Sequence, residues 1–343
     1  MDTITIKDIA NLCGVGVTTV SRAINNHPDI SEDTKQMILQ VIKENHYVPN
    51  NSARNLKRSA SKTIAVLIKG ITNPFFNRML QVFEQETQKK KYSCILQRVD
   101  ENQDEIDVAI ELEKEKRLKG IVFLGGYFSH SKEKLDQLTI PFVLSTIGLT
   151  QEVDQDVYSW VSVDDFQESY KMTDYLCGLG HKKIAIISAG MDDESIGKLR
   201  YEGYRKALEH HGIKFNPNLV RCMKDDIESY SMENGYAVTR ELLQSGEEFT
   251  ALYAISDSLA VGACKAIFEA GKSVPEDYSV AGFDGLDISF YYNPSITTIR
   301  QPAEKIAKET IRILFDLIHK KTASEHRIFA AQLMARDSTK PLK

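Results

Sequence analysis

The chain has 343 residues, roughly twice a usual single domain, with 42% apolar and 27% charged residues, a balance that suits two or three soluble packing units. Its apolar runs, such as Ile64–Ile68 and Ile184–Ile187, are strand-sized, the start lacks a charged-then-apolar leader, and the five cysteines (Cys13, Cys94, Cys177, Cys222, Cys264) are widely spaced; a membrane protein, a secreted protein and a disordered tail are therefore not expected, and a cytoplasmic chain with reduced thiols is. The net charge of −5 hides a split: residues 1–62 hold eight Lys/Arg against six Asp/Glu, a head of +2 on a body of −7.

In chain order, Ile6, Ile9, Ala10 and Cys13 make one apolar stripe of a short helix, and Gly14-Val15-Gly16 breaks it. Val17 to Asn25 resumes helical spacing with Val20, Ala23 and Ile24 on the buried face. Two short helices joined by a glycine-containing turn are a helix-turn-helix pattern. Ser31 is an N-cap for a third helix whose apolar face is Ile38, Leu39, Val41 and Ile42. The outer face of the second helix, Val17, Thr18, Ser21, Arg22 and Asn25, suits DNA: Arg for guanine edges, Val for a thymine methyl, hydroxyls and amides for phosphates. The alternative is a three-helix bundle with a solvated face.

Tyr47-Val48-Pro49 ends the third helix. The eight or so helix-compatible residues that follow, Asn50 to Lys57, are too few to be stable alone, since isolated helices below about 12 residues are marginal. Such a segment suits coupled folding and binding, with Leu56 as an apolar wedge for the minor groove. A plain linker is the alternative, and Ser59-Ala60-Ser61 resembles one.

Thr5-Ile6-Lys7-Asp8-Ile9-Ala10, Thr19-Val20-Ser21-Arg22, and Tyr47-Val48-Pro49-Asn50 through Ala53-Arg54-Asn55-Leu56 together resemble the head and hinge of the LacI/GalR family of bacterial transcriptional repressors. The resemblance implies that the second helix enters the major groove, that Val17, Thr18 and Arg22 read bases, and that Leu56 intercalates at the operator centre. It gives a DNA-binding set of Thr5, Gly16, Val17, Thr18, Thr19, Ser21, Arg22, Asn25, Ser31, Asn50, Ala53, Arg54 and Leu56. Gly16 departs from the family's usual serine, which removes a hydroxyl that could contact phosphate.

From Thr63 onward, apolar strands alternate with amphipathic helices: strand 64–68, helix 76–90, strand 93–97, helix 103–116, and strands 120–124 and 142–144. The cycle restarts with strand 183–187, helix 199–210, strand 251–255, helix 258–270 and strand 279–283. That pattern is α/β, two doubly wound parallel-sheet lobes behind a small all-α head, with a cleft where strand ends face each other. The family resemblance extends to this body, through Asn73-Pro74-Phe75-Phe76, Leu179-Gly180-His181, Gly282-Phe283-Asp284 and Thr297-Thr298-Ile299-Arg300-Gln301-Pro302. It implies a fold like type I periplasmic sugar-binding proteins. The expected divisions are a head at 1–49, a hinge and linker at 50–62, and a body at 63–343. Within the body, the N-lobe is expected at 63–161 plus 294–322 and the C-lobe at 162–293 plus 323–340.

Strand ends supply the cleft candidates: Phe75, Phe76, Met79, Arg200, Tyr230, Ser256, Asp257, Asp284 and Gln301. The resemblance implies that all of these except Asp257 contact a small effector. Asp284 and Arg200 can make paired, charge-assisted hydrogen bonds to neighbouring hydroxyls, and Phe75, Phe76 and Tyr230 can stack on a sugar ring. At least one of the two phenylalanines is expected in the core, and Trp160 is expected in interlobe packing. Ser256 replaces the amide common in relatives. A purine and a partner protein are the other effectors the scaffold admits.

No phosphate loop, nucleophile elbow or His-Glu-x-x-His pair is present, so a sugar-processing enzyme is the remote alternative. His210-His211 and Asp192-Asp193-Glu194 are not expected to bind metal, since adjacent helical residues diverge, and no cofactor is implied. The expectation is a homodimeric, effector-controlled repressor of a pseudo-palindromic DNA operator. By resemblance, its dimer face comes from helices 76–90 and 258–270. The chain stops soon after Arg336-Asp337-Ser338-Thr339 without a leucine-heptad tail, which favours a dimer over a tetramer.

Overall fold

The computed structural model describes residues 5–24, 27, 29–45, 62–69, 73–100, 103–128, 130–149, 158–190, 195–320 and 323–342. The expected hinge residues Asn50, Ala53, Arg54 and Leu56, and Asn25, lie outside them. The chain divides at residue 60 into two compact units.

Among its described residues, the first unit holds the helices Ile6–Cys13, Val17–Ile24 and Glu32–Glu44. Thr5 and Asp8 form a reciprocal cap: the Asp8 carboxylate accepts from the Thr5 N–H at 2.8 Å and from its hydroxyl at 2.6 Å. Gly14 ends the helix in the left-handed region at φ 67, where a Cβ would be strained. Ile9, Ala10, Val20, Ala23 and Ile38 close the core, as the spacing predicts. Leu39 does not join it and stands 37% exposed, because the inward stripe of the third helix runs through Ile38, Val41 and Ile42.

The second unit holds two six-stranded sheets. Across the first, the order is Ser93–Arg98, Thr63–Ile68, Gly120–Leu124, Phe142–Ser145, Ser159–Val163 and His326–Phe329, every neighbouring pair parallel. Across the second it is Val220–Cys222, Ile184–Ser188, Ala251–Ala254, Ser279–Asp284, Thr297–Arg300 and Gln332–Met334, only the last pair antiparallel. The central strands are apolar throughout because helices cover both faces. Each order reverses once, between Thr63–Ile68 and Gly120–Leu124 and between Ile184–Ser188 and Ala251–Ala254. Beyond the carboxyl ends at such reversals a doubly wound sheet leaves a crevice.

The lobes exchange chain at different points from those expected. Thr297–Arg300 pairs with Ser279–Asp284 in the second sheet, so the crossing falls at Gln301-Pro302 and not near 294. Only then does helix Ala303–Lys320 pack on helix Phe75–Lys89 and the first sheet. His326–Phe329 then extends the first sheet beside Ser159–Val163, and only Gln332–Met334 belongs to the second. Short strands of mixed polarity carry no mark of the sheet they join; Pro302, with no N–H for a ladder, is the local signal for the break. One apolar cluster joins both lobes, from Ile64 and Phe83 to Ile186 and Phe283.

Helices Asp165–Gly178 and Ile196–His210 run side by side in the second lobe, and their closest approach is at Gly203. A Cβ there would lie 2.2 Å from the Phe166 carbonyl oxygen. Gly203→Ala must therefore push two backbones apart, and we expect a loss of about 1–3 kcal/mol, read as a fall in the full chain's Tm. An unchanged Tm would show that the helices do not approach this closely.

Candidate functional site

A fully buried charge sits at the crevice. Arg200, one turn into helix Ile196–His210, is 1% exposed. A buried guanidinium costs several kcal/mol unless its donors are matched. Here Nε and Nη2 each reach Asp165 Oδ1 at 2.8 Å, and Nη1 donates to the Ile255 carbonyl at 2.6 Å. Nη1 also lies 3.7 Å from Asp284 Oδ1, and the guanidinium stacks 3.7 Å from the centre of the Phe283 ring. Burial works against the Arg200 charge, yet Asp165 and Asp284 outweigh it and hold the group protonated. The carbonyl of Ile255 comes from the strand end just past the second sheet's reversal, which places the network at the crevice.

Asp284 ends strand Ser279–Asp284 with φ 111, a backbone state that side-chain-bearing residues rarely adopt. Gln301 fixes it at two points: its N–H donates to the Asp284 carbonyl at 3.1 Å and its Nε2 to Oδ1 at 2.8 Å. The other carboxylate oxygen, Oδ2, is buried with no hydrogen-bond partner among the described residues. Burial pushes the Asp284 carboxyl up to about 6, against the pull of Arg200, Gln301 and, from the first lobe, Asn73.

The other expected cleft residues fall into two groups. Phe75, Phe76 and Met79 open helix Phe75–Lys89 and are buried in the shared core, the two rings 5.7 Å apart and tilted. Phe76 fits because position 125 is glycine, where a Cβ would stand 2.6 Å from its ring. Half-buried Tyr230, at φ 57, lies near enough to Arg200 to act on its charge. The Ser256 hydroxyl caps helix Asp257–Glu269 by accepting from the Leu259 N–H. Asp257 is fully buried: Oδ2 accepts from the Leu286 N–H at 2.6 Å, and Oδ1 has no partner among the described residues. Burial, and then the charge of Asp284, push its carboxyl up to about 8. Trp160 lines a cavity of about 290 Å³ together with Asp165, a member of the Arg200 network, and Leu199 from the second lobe, and its Nε1 donates to the Ile147 carbonyl.

Sequence reasoning missed Asp165, Asn73 and Phe283. The Asp164-Asp165 pair at the end of a strand was a signal for the first, but nothing in a linear pattern pairs Asp165 with an arginine 35 residues on.

In the head, the outer face of helix Val17–Ile24 presents Val17, Thr18 and Arg22, all exposed, with Thr19 and Ser21 partly covered. The Gly16 carbonyl accepts from the N–H groups of Thr19 and Val20, starting the helix without a side-chain cap. The Arg22 guanidinium is 3.3 Å from the Asp29 carboxylate, which His27 also contacts. The hydroxyls of Thr5 and Ser31 are engaged in helix caps.

A family model for bacterial regulatory proteins of the lacI family matches residues 5–50, and one for a periplasmic binding protein-like domain matches 173–339. The HTH-type transcriptional regulator MalR of Clostridium butyricum is 39% identical over 343 residues, covering 97% of this chain and 98% of that protein. The chain belongs to the lacI family. This LacI-family protein is a DNA-binding transcriptional regulator and not an enzyme. Among solved structures, the transcriptional regulator CelR–cellobiose complex is 26% identical with a TM-score of 0.70, covering 98% of this chain and 99% of its own. A LacI family regulator from Enterococcus faecium with bound ribose is 30% identical with a TM-score of 0.70, covering 82% of this chain and 100% of its own. Among the described residues of the LacI-family chain, no helix is long and apolar enough to cross a membrane.

The two buried carboxylates generate a pH prediction for this LacI-family regulator. A carboxyl raised in the folded state favours folding below its unfolded value, and that contribution is lost as pH rises through the folded value. For Asp257 the window runs from 3.8 to about 8. Asp257→Asn keeps an acceptor for Leu286 but cannot ionise. Its Tm relative to wild type should rise between about pH 5 and pH 8 by several degrees, since 1 kcal/mol is about 2–4 °C for a domain of this size. A pH-independent difference would contradict a buried, ionisable Asp257.

Proposed function

We propose that this regulator is a cytoplasmic homodimer that represses transcription, and that its effector is a small sugar bound at Arg200 and Asp284. The observation that carries the reading is the open Oδ2 of Asp284. It is a buried acceptor beside a buried cation, where a hydroxyl of a polyol can donate to the carboxylate while a neighbouring oxygen accepts from the guanidinium. Leaving such an oxygen without a donor costs about 1–3 kcal/mol, so a ligand that satisfies it binds with that advantage. The cellobiose and ribose complexes of similar regulators support a sugar over a purine. Phe75 and Phe76 contribute mainly as core in this reading, and Gln301 positions the carboxylate.

On the DNA side, Val17, Thr18 and Arg22 are proposed to read bases from the major groove, with Arg22 exchanging Asp29 for a guanine edge. A dimer face is supported by exposed Phe268 on helix Asp257–Glu269 and by exposed Ile288, Phe290 and Tyr291 on the short helix Asp287–Tyr291, since exposed apolar patches mark interaction surfaces. Of helix Asp257–Glu269, only Lys265, Phe268 and Glu269 remain exposed to contribute. Two heads would then meet two half-sites of a palindrome. Effector binding shifts the lobes toward the closure angle that it fits, and this changes operator affinity.

The test is a thermal-shift screen of the full chain against sugars, including ribose and cellobiose, and purines. It is followed by anisotropy on a duplex the chain selects from random DNA. Sugars should raise Tm and purines should not; stabilisation by purines alone would overturn the sugar reading. Asp284→Ala should weaken binding of the stabilising sugar by about 10- to 100-fold, the range for one charged hydrogen bond, and leave operator affinity in place. In the wild type, sugar affinity should weaken as pH falls through about 6, where Asp284 takes up a proton. Sugar affinity unchanged in the variant would remove Asp284 from the site.

A further inference from the structure

Far from the crevice, the same two helices that carry Asp165 and Arg200 meet again at their other ends. Contacts between Asp165–Gly178 and Ile196–His210 advance in step along both, from Asp165 against Arg200 to Asp174 against His211. Adjacent residues on a continuing helix diverge. His211 is the C-cap residue, its N–H still bonded to the Ala207 carbonyl, yet the side chains of His210 and His211 bring their rings to 5.3 Å. Asp174 Oδ1 is 2.7 Å from His211 Nε2, and the Tyr170 hydroxyl hydrogen-bonds to His210 Nδ1. One donor atom from each of Asp174, His210 and His211 lies within 4.8 Å of the other two.

We propose that Asp174, His210 and His211 form a surface site for a zinc-class divalent ion, with water or the Tyr170 hydroxyl as fourth ligand. Two imidazoles and a carboxylate are a borderline donor set that favours such ions over magnesium or calcium. Zinc–nitrogen and zinc–oxygen bonds of about 2.0–2.2 Å put tetrahedral ligands about 3.4 Å apart. The three donor atoms already lie within 4.8 Å of one another on partly or fully exposed side chains, which are free to close to that spacing about an ion. The ion would pin the distal ends of the helix pair whose proximal ends hold the Arg200 network.

A second group of similar composition shows the contrast. Asp104, Glu105 and His130 also converge, but the Lys134 ammonium is 2.7 Å from Asp104 and Lys69 is 2.5 Å from Glu105, so cations already occupy those carboxylates. Among the described residues, the ion pair on Asp174 is with His211 itself.

Calorimetric titration of the untagged full chain with zinc chloride tests the site, paired with the visible spectrum of the cobalt(II) form. One ion per chain should bind, and Asp174→Asn, His210→Gln and His211→Gln should each weaken it at least tenfold while leaving the metal-free Tm unchanged. The cobalt spectrum should show ligand-field bands without thiolate charge transfer, which separates this site from the five cysteines. No saturable binding, wild-type affinity in any of the three variants, or a thiolate band would overturn the proposal.

Discussion

The crevice depends on a single buried cation. Arg200 is 1% exposed, so the elements around it supply compensating groups: Asp165 at the head of one helix, the Ile255 carbonyl at a strand end, Asp284 at another, and the Phe283 face. Removing one member would leave a charge uncompensated, which is costlier than never having buried it. The network therefore fixes the relative positions of two helices and the ends of two strands. Gln301 extends that constraint to the point where the chain leaves for the first lobe.

That position gives a route for coupling. Gln301 directly precedes Pro302 and helix Ala303–Lys320, which packs on the first sheet, while Asn73 from the first lobe acts on the same Asp284 carboxyl. A ligand that donates to Asp284 thus acts on the residue where both lobes are felt. Burial raises the Asp284 carboxyl to about 6, and a donor bound to it would favour its charged form.

Much of this was legible in the residues themselves. The buried strands read as continuous apolar runs, the head helices as 3.6-residue stripes, Arg200 as a residue opening a second-lobe helix, and Asp284 and Gln301 as strand-end residues of a recognisable family. Other features were not, for physical reasons. The Asp165–Arg200 pair is set by how two helices pack, and Gly203, which permits that packing, is an ordinary glycine in a helix until Phe166 is placed against it. Thr297–Arg300 has the composition of either sheet and joins the second through register alone. Ser256, a contact candidate by position, spends its acceptor on a helix cap, as Thr5 and Ser31 do in the head. The His210-His211 pair reads as divergent on an ideal helix, and it is the side-chain conformations, which a linear pattern does not carry, that bring the two rings to 5.3 Å.

The most direct test of the Arg200–Asp284 account is a crystal structure of the full chain with the sugar that stabilises it. A sugar hydroxyl should lie within hydrogen-bond distance, about 2.5–3.0 Å, of Asp284 Oδ2, and a sugar oxygen should accept from the Arg200 guanidinium. A sugar bound elsewhere, with Asp284 Oδ2 still without a donor, would contradict it.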